Sequence, residues 1–577
     1  MAWFIGRNGI LFAGLCLLPL AFGDFWAYQL GLYFLYAIAA LGVGICWGRA
    51  GFLPLGQAMF LGIGAYLSGF ALIHFPNSWW LLLLLPAAAL VPGALAFLIG
   101  LLVFRGRFES GPYFALITLA LSLLTFQVAT NWVEVTGGFN GLGSIPGLPG
   151  IGGFETFYYV IALALMLSTA MVAWLMKSPI GVIWRGISEN ERRLSYFGYN
   201  TPILKALAFG VSGVLGGIAG ALYAPHQGLV TPQLTGFMLS AELVIWTAVG
   251  GRASLSGPII GTILVGSLTA ELRDTIAIWE LMVAGLFIFV VLFMRGGIAG
   301  KPELWFRQMF IRPSQTPPCP APNLKGVSTP PKLEVFESNL SVGSVRILDQ
   351  LSLNIDHPSI YCLIGPNGAG KTTTFNMVTG SLPMQSGKVV LDGEIVTGLA
   401  PYQMTRRGVG RKFQVPSIFP NLTIAENLHS ALWGGRCSLL DLLKAEPIAW
   451  QSQLLDTLKD RFKFLEQNER LGGALSHGEK QVLELTMALL GEPRLLLLDE
   501  PCAGLSSEET GAVMDTIRWL RSSLGTTVVI IEHDMTLVRE LADQVIVMNQ
   551  GRVLTTGSVL EIQSDPRVQE VYIGVSL

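Results

Sequence analysis

The segment GPNGAGKT (365–372) follows the apolar run SIYCLIG (359–365) and fits the pattern G-x-x-x-x-G-K-[ST] with Gly365, Gly370, Lys371 and Thr372. Residues of these types at this spacing wrap a polyphosphate. Backbone from Gly365, Pro366, Asn367, Gly368, Ala369, Gly370, Lys371, Thr372 and Thr373 forms the cradle. Lys371 neutralises β/γ-phosphate charge, and the Thr372 hydroxyl reaches Mg²⁺ above a helix N-terminus. Downstream, LLLLDE (495–500) ends in two carboxylates, with Asp499 placed to hold Mg²⁺ through water and Glu500 to polarise an attacking water. A third run, TTVVIIEH (526–533), delivers His533 toward the γ-phosphate. The chemistry to which these residues point is nucleotide binding and hydrolysis, with Glu500, His533 and Lys371 as the expected catalytic set.

Three continuous apolar runs ending at chemistry-bearing residues are the pattern of parallel strands buried on both faces, which present their ends at one edge of an α/β sheet. The chain around them is of another kind. Of 577 residues, 51% are hydrophobic and only 13% charged, with mean hydropathy +0.55, which excludes a wholly soluble protein. A net charge of −2 gives no basic field to attract nucleic acid. The charges divide unevenly, 22 in residues 1–300 against 54 in 301–577. The six cysteines form no CxxC pair and read as reduced core or membrane residues.

A bilayer's hydrocarbon core is crossed by about 20 apolar residues in a helix. Ten stretches approach this, near 9–23, 26–47, 52–75, 79–104, 111–132, 156–176, 203–224, 236–250, 255–270 and 277–294, the eighth and ninth short enough to be re-entrant. With the C-terminal half in the cytosol, this count puts twelve basic residues inside, Arg7 to Lys301, and only Arg273 outside. The first stretch reads as an uncleaved helix, with a signal peptide as the alternative. Between the sixth and seventh, residues 177–200 form an amphipathic segment with Ile180, Ile183, Trp184 and Ile187 on one face, suited to the lipid interface or to docking on a cytosolic domain. The glycines of GVSGVLGGIAGALY (210–223) allow close helix packing. Glu242 is an ionisable residue inside an apolar stretch, open to pairing with a base such as Arg252 or to solute contact. Eight prolines in 301–332 mark an extended linker.

With these residues in view, 333–577 resembles the ATPase domain of ABC transporters, and the ordered set of motifs carries the resemblance. Gln414 in RKFQVPSIF resembles the Q-loop, LSHGEKQ (475–481) the signature, AGLS (503–506) the D-loop and His533 the switch histidine. The resemblance implies a head-to-tail sandwich in which Ser476 and Gly478 bind the ATP held by a partner's P-loop. It also implies that Gln414 joins Thr372 and Asp499 around Mg²⁺. The signature departs from LSGGQ at His477 and Glu479, and the D-loop ends in Ser506 where Asp is commonest. NLSVGSVRIL (339–348) offers no aromatic for adenine, leaving Phe336 as a substitute.

Residues 30–300 resemble the permeases of the branched-chain amino-acid uptake group of ABC importers, through WGRAGFLPLGQAMFLGIGAY (47–66), GPYFALITLALS (111–122), TGGFNGL (136–142) and GGRASLSGPIIGT (250–262). ELVIWTAVGGR and LSHGEKQ are similar to the urea and short-amide branch. The expected architecture is multidomain: an all-α polytopic membrane domain (1–300), a Pro-rich linker (301–332) and an α/β P-loop NTPase domain (333–577). The implied activity is ATP-driven uptake of a small polar solute through a bacterial-type cytoplasmic membrane. The implied partners are the lipid bilayer, an extracytoplasmic solute-binding protein, and either a second permease and second ATPase subunit or a second copy of this chain. Export and a non-transporting regulatory ATPase are the alternatives.

Overall fold

The computed structural model describes residues 24–572 apart from 77, 106–110, 276, 277, 295, 301–318, 322–330 and 445–449. The expected first span (9–23) and most of the linker lie outside the described residues. Two compact units divide the chain: Met1–Ser188 with Thr201–Gln315, and Glu189–Asn200 with Thr316–Leu577.

The first unit is helical: α1 (Asp24–Val43, continued by a π turn to Arg49), α2 (Gln57–His74), α3 (Leu81–Phe104), α4 (Pro112–Asn131), α5 (Phe154–Lys177), α6 (Pro179–Ser195, its residues from Glu189 belonging to the second unit), α7 (Thr201–Gln227), α8 (Phe237–Gly250), α9 (Gly257–Thr275) and α10 (Trp279–Phe293). Among the described residues six stretches are long and apolar enough to cross a bilayer, matching α1 to α5 and α7. The last three helices carry shorter apolar stretches, as the lengths of the expected eighth and ninth foreshadow. Helices α3, α4 and α10 leave large apolar side chains exposed, among them Leu90, Leu98, Leu124 and Phe293, as a lipid-facing surface does.

Helix α7 packs against α2 and α3, and its glycines are the reason it can come so close. A Cβ on Gly220 would stand 1.9 Å from the Leu61 carbonyl oxygen. Buried polar groups here are satisfied internally: the Gln57 amide donates to the Ser212 carbonyl at 3.0 Å, and the Ser212 hydroxyl donates back to Gln57 Oε1 at 2.8 Å.

Among the described residues the second unit contains two large sheets and a short parallel pair, Cys319–Pro320 with Trp450–Gln451. A six-stranded sheet has the order β10-β9-β3-β8-β7-β6, from β3 (Ile360–Ile364), β6 (Val409–Lys412), β7 (Leu495–Asp499), β8 (Thr527–Ile531), β9 (Gln544–Asn549) and β10 (Arg552–Gly557). All its pairings are parallel except β9 with β10. Strands β3, β7 and β8 are buried along their whole lengths, the reason their sequences run apolar without alternation. An antiparallel sheet of order β2-β1-β4-β5 is built from β1 (Leu333–Val342), β2 (Val345–Ile355), β4 (Ser386–Leu391) and β5 (Glu394–Ile395). Helices α11 (Lys371–Val378), α12 (His477–Leu489) and α13 (Ser507–Leu524) position the remaining motifs.

Candidate active site

The register of the six-stranded sheet aligns the ends of three strands. Ile531 of β8 lies opposite Asp499 on one side and Leu363 on the other, so the chain leaves β3, β7 and β8 at one edge. The P-loop, Asp499-Glu500 and Glu532-His533 therefore meet there, where a doubly wound sheet binds its ligand.

From β3 the chain turns at Gly365 with φ +150°, and a Cβ there would stand 2.2 Å from the Met548 carbonyl oxygen, so glycine is required. Gly370 caps α11 in the left-handed region, which turns the first amides of that helix toward the loop. The Lys371 ammonium curls over the loop and donates to the Gly365 carbonyl at 2.6 Å and the Pro366 carbonyl at 3.1 Å. Burial pulls its pKa below the usual lysine range, against the attraction of Glu500 and Asp499.

Asp499 is buried at 2% exposure and hydrogen-bonded to the Thr372 hydroxyl, yet its Oδ1 has no hydrogen-bond partner. Burial raises its pKa, with Arg411 opposing. A buried carboxylate oxygen without a donor, beside a hydroxyl, fits a divalent cation. No group of three or more His, Cys, Asp or Glu suited to a metal occurs among the described residues, so phosphate and water oxygens would complete the shell.

Glu500 is held in the left-handed region at φ +45°, which costs about 1 to 3 kcal/mol in a residue with a Cβ. Its N–H donates to the Ile531 carbonyl at 3.0 Å, tying the strained turn to β8. One carboxylate oxygen accepts from the Gln414 amide at 3.0 Å, and the other lies 3.5 Å from His533 Nδ1. Glu500, Gln414 and His533 thus form one polar cluster next to the P-loop and Asp499. It can orient a water and share its proton.

Ser476 and Gly478 open α12 and neighbour α13 instead. Ser476 caps the helix, and a Cβ on Gly478 would stand 2.4 Å from Glu509 Oε1. The departures from the usual motifs have local partners. Glu479 accepts from the Ser476 N–H at 2.7 Å and takes a two-pronged bond from Arg470 at 2.7 and 2.9 Å. Ser506 caps α13 with Glu509 as its reciprocal partner. Phe336, on β1, has its ring covered by the Lys388 ammonium at 4.9 Å.

Glu189–Asn200, within the segment that the sequence suited to docking, pack as part of the second unit, and what the sequence did not show is the pairing of Arg193 with Glu484. Helix α6 breaks at Asn190, at φ −155° and ψ 79°, and Ile180, Ile183, Trp184 and Ile187 before the break are buried. Beyond it Arg193 is fully buried. Its guanidinium donates to the Arg411 carbonyl at 2.8 Å and the Glu484 carbonyl at 3.1 Å, and stands 3.3 Å from Glu484 Oε1. That same Oε1 accepts the Phe413 N–H at 3.0 Å, one residue before Gln414. Burial raises the Glu484 pKa, with Arg193 and Lys412 opposing, and lowers that of Arg193. The available signal was a lone acid in the apolar stretch of α12.

Both halves of the chain match known protein families. Residues 26–292 match the family model described as branched-chain amino acid transport system / permease component, and 348–503 match that of the ABC transporter. The chain is 35% identical over 254 residues to the high-affinity branched-chain amino acid transport ATP-binding protein BraF of Pseudomonas aeruginosa, covering 42% of this chain and 98% of that protein. It is 36% identical over 252 residues to LivG of Escherichia coli (strain K12), of the same description, with the same shares covered. A solved nucleotide-free ATP-binding cassette from an ABC transporter is 27% identical, covering 42% of this chain and 99% of that one, with TM-score 0.37.

Proposed function

The chain belongs to the ABC transporter family, carrying permease and ATP-binding parts in one polypeptide, and from that premise we propose that it drives uptake of a small polar or zwitterionic solute of the branched-chain amino-acid kind. The observation that carries this reading is the occurrence, in one chain, of the permease match over 26–292 and an ATPase edge with Thr372, Asp499, Gln414, Glu500 and His533 gathered beside a P-loop. In this reading the permease lies in a bacterial cytoplasmic membrane, the ATPase unit is cytosolic, and a binding protein delivers solute from outside. Within the uptake group, ELVIWTAVGGR and LSHGEKQ favour the urea and short-amide branch.

The P-loop amides and Lys371 hold the β- and γ-phosphates of ATP. Thr372, Asp499 and Gln414 are the residues that would hold Mg²⁺, which neutralises charge between those phosphates. Glu500 takes the proton of a water aligned on the γ-phosphorus, Gln414 orients that carboxylate, and His533 contacts the γ-phosphate. Ser476 and Gly478 serve the ATP of a partner ATPase, which makes a second ATPase and a second permease, or a second copy, part of the machine. Arg193 links the permease-derived segment to Glu484 and the strand before Gln414, a route by which solute arrival and sandwich closure are coupled in alternating access.

The test is ATP hydrolysis by the complete transporter in liposomes. The reading predicts stimulation by solute-loaded binding protein and none by the empty form. Equal rates with and without loaded binding protein would count against uptake.

A further inference from the structure

The segment TGGFNGL (136–142) follows α4 and carries a phenylalanine between glycines. Its turn is tightly held. The Thr136 hydroxyl donates to the Ala129 carbonyl at 2.6 Å and accepts the Gly138 N–H at 3.2 Å. Gly137 has φ +74°, and a Cβ there would stand 2.1 Å from the Gly141 carbonyl oxygen. Leu142 and Val230 exchange two backbone hydrogen bonds, at 2.8 and 2.9 Å, and the Ile145 N–H donates to the Gly228 carbonyl at 3.1 Å, so the loop after α4 is knitted to the loop after α7. On this frame Phe139 is 68% exposed and Val133 65%, with Trp132 and Leu229 also exposed. Glu134, between Val133 and Val135, is exposed as well. Neither 132–153 nor 228–236 contains a basic residue, whereas Arg105 and Arg107 precede α4 and Lys205 lies near the start of α7. That asymmetry puts the frame on the extracytoplasmic side in the uptake reading.

An irregular glycine turn does not face the hydrocarbon core, because its free backbone N–H and C=O groups would lose water there. Phe139 and its neighbours therefore stand above the core, and an aromatic held out by a fixed backbone gives up little entropy when a partner covers it. We propose that this frame is the docking surface for the extracytoplasmic solute-binding protein, with Phe139 as its apolar anchor and Glu134 as the charged neighbour. The matching face of that protein carries an apolar pocket for Phe139 and a Lys or Arg for Glu134. The proposal rests on the uptake reading above, which requires such a protein, and adds where it seats and by what chemistry. The competing occupants fit less well: phosphate-bearing headgroups repel Glu134, and a second permease in the same membrane is met along helix faces rather than at a loop above the core.

The test is ATP hydrolysis by the complete transporter in nanodiscs, titrated with leucine-loaded binding protein and read as the half-saturating concentration of that protein. Phe139→Asp should raise it about tenfold or more with basal hydrolysis and subunit assembly unchanged, while Phe139→Leu should keep most of the affinity. Glu134→Lys should raise it several-fold and flatten its dependence on salt. Should Phe139→Asp fail to fold, Glu134→Lys decides. Half-saturation unchanged in both variants, loss of the second permease from the Phe139→Asp complex, or an effect confined to basal hydrolysis as the lipid is varied would overturn the docking surface. A wild-type transporter that loaded binding protein does not stimulate would remove the uptake reading itself, whereas stimulation that both variants leave unchanged removes the surface alone.

Discussion

The two units place their polar groups by opposite means. In the ATPase unit, Asp499, Glu500 and His533 stand at the ends of neighbouring parallel strands, and one register fixes all three. In the membrane unit, Tyr36, Tyr223 and Trp246 come from the interiors of three helices, and helix packing alone brings their rings together. The first site is tied by backbone hydrogen bonds such as that from Glu500 to Ile531, the second by close approach at residues such as Gly220. A strand-end site should therefore tolerate side-chain exchange with its fold intact, whereas a helix-packed cluster should fail through packing.

The strongest way to sharpen that contrast is Glu500→Gln. Loss of the general base proposed at Glu500 should lower turnover about 100- to 10,000-fold with ATP binding kept, measured by phosphate release and a fluorescent nucleotide. Hydrolysis at the normal rate would remove Glu500 from the chemistry. Next is Gly220→Leu, where a side chain must enter a space in which even a Cβ stands 1.9 Å from Leu61 O. The permease should be lost from the membrane fraction or aggregate, while nucleotide binding by the ATPase unit survives. A fully assembled variant would break the packing half of the comparison.

Arg193→Met ranks third. It leaves the Glu484 carboxylate buried without its ion partner, which costs about 3 to 5 kcal/mol. Solute-stimulated ATPase should fall and the thermal midpoint of the second unit should drop. Adding Glu484→Gln should recover much of the stability, because an amide oxygen still accepts the Phe413 N–H. Equal midpoints for the single and double variants would show that the pair is not coupled.

The smallest effect concerns His429, stacked on Trp433 at 5.6 Å, whose pKa burial pushes down to about 4. A depressed histidine favours the folded state above its unfolded value of about 6.5, and that stability is lost as pH falls toward and through 4. Thermal midpoints between pH 7 and 4.5 should fall less steeply in His429→Gln. Parallel pH profiles would contradict this origin of acid sensitivity.

The ATP edge was legible in sequence because its residues follow local rules: a glycine turn after a buried strand, and acids where an apolar run stops. The apolar stretches behind α1 to α5 and α7 to α10 were legible for the same reason, with hydropathy marking each element, and α6 by its amphipathic spacing. The Arg193 and Glu484 pair was not, because residues 291 apart meet only through the fold. The meaning of Glu479 in the signature likewise needed Arg470, nine residues earlier, to be brought against it by the turn before α12. The Tyr36, Tyr223 and Trp246 cluster has no sequence pattern at all, since three helices contribute one or two rings each.

Transport direction and energy source are tested together by vesicles carrying the complete transporter, with ATP in the lumen and labelled leucine plus binding protein outside. ATP-driven uptake predicts that label accumulates in the lumen with ATP and stops accumulating when Lys371 is replaced by alanine. ATP-dependent loss of preloaded label, or accumulation that ignores ATP, would contradict it.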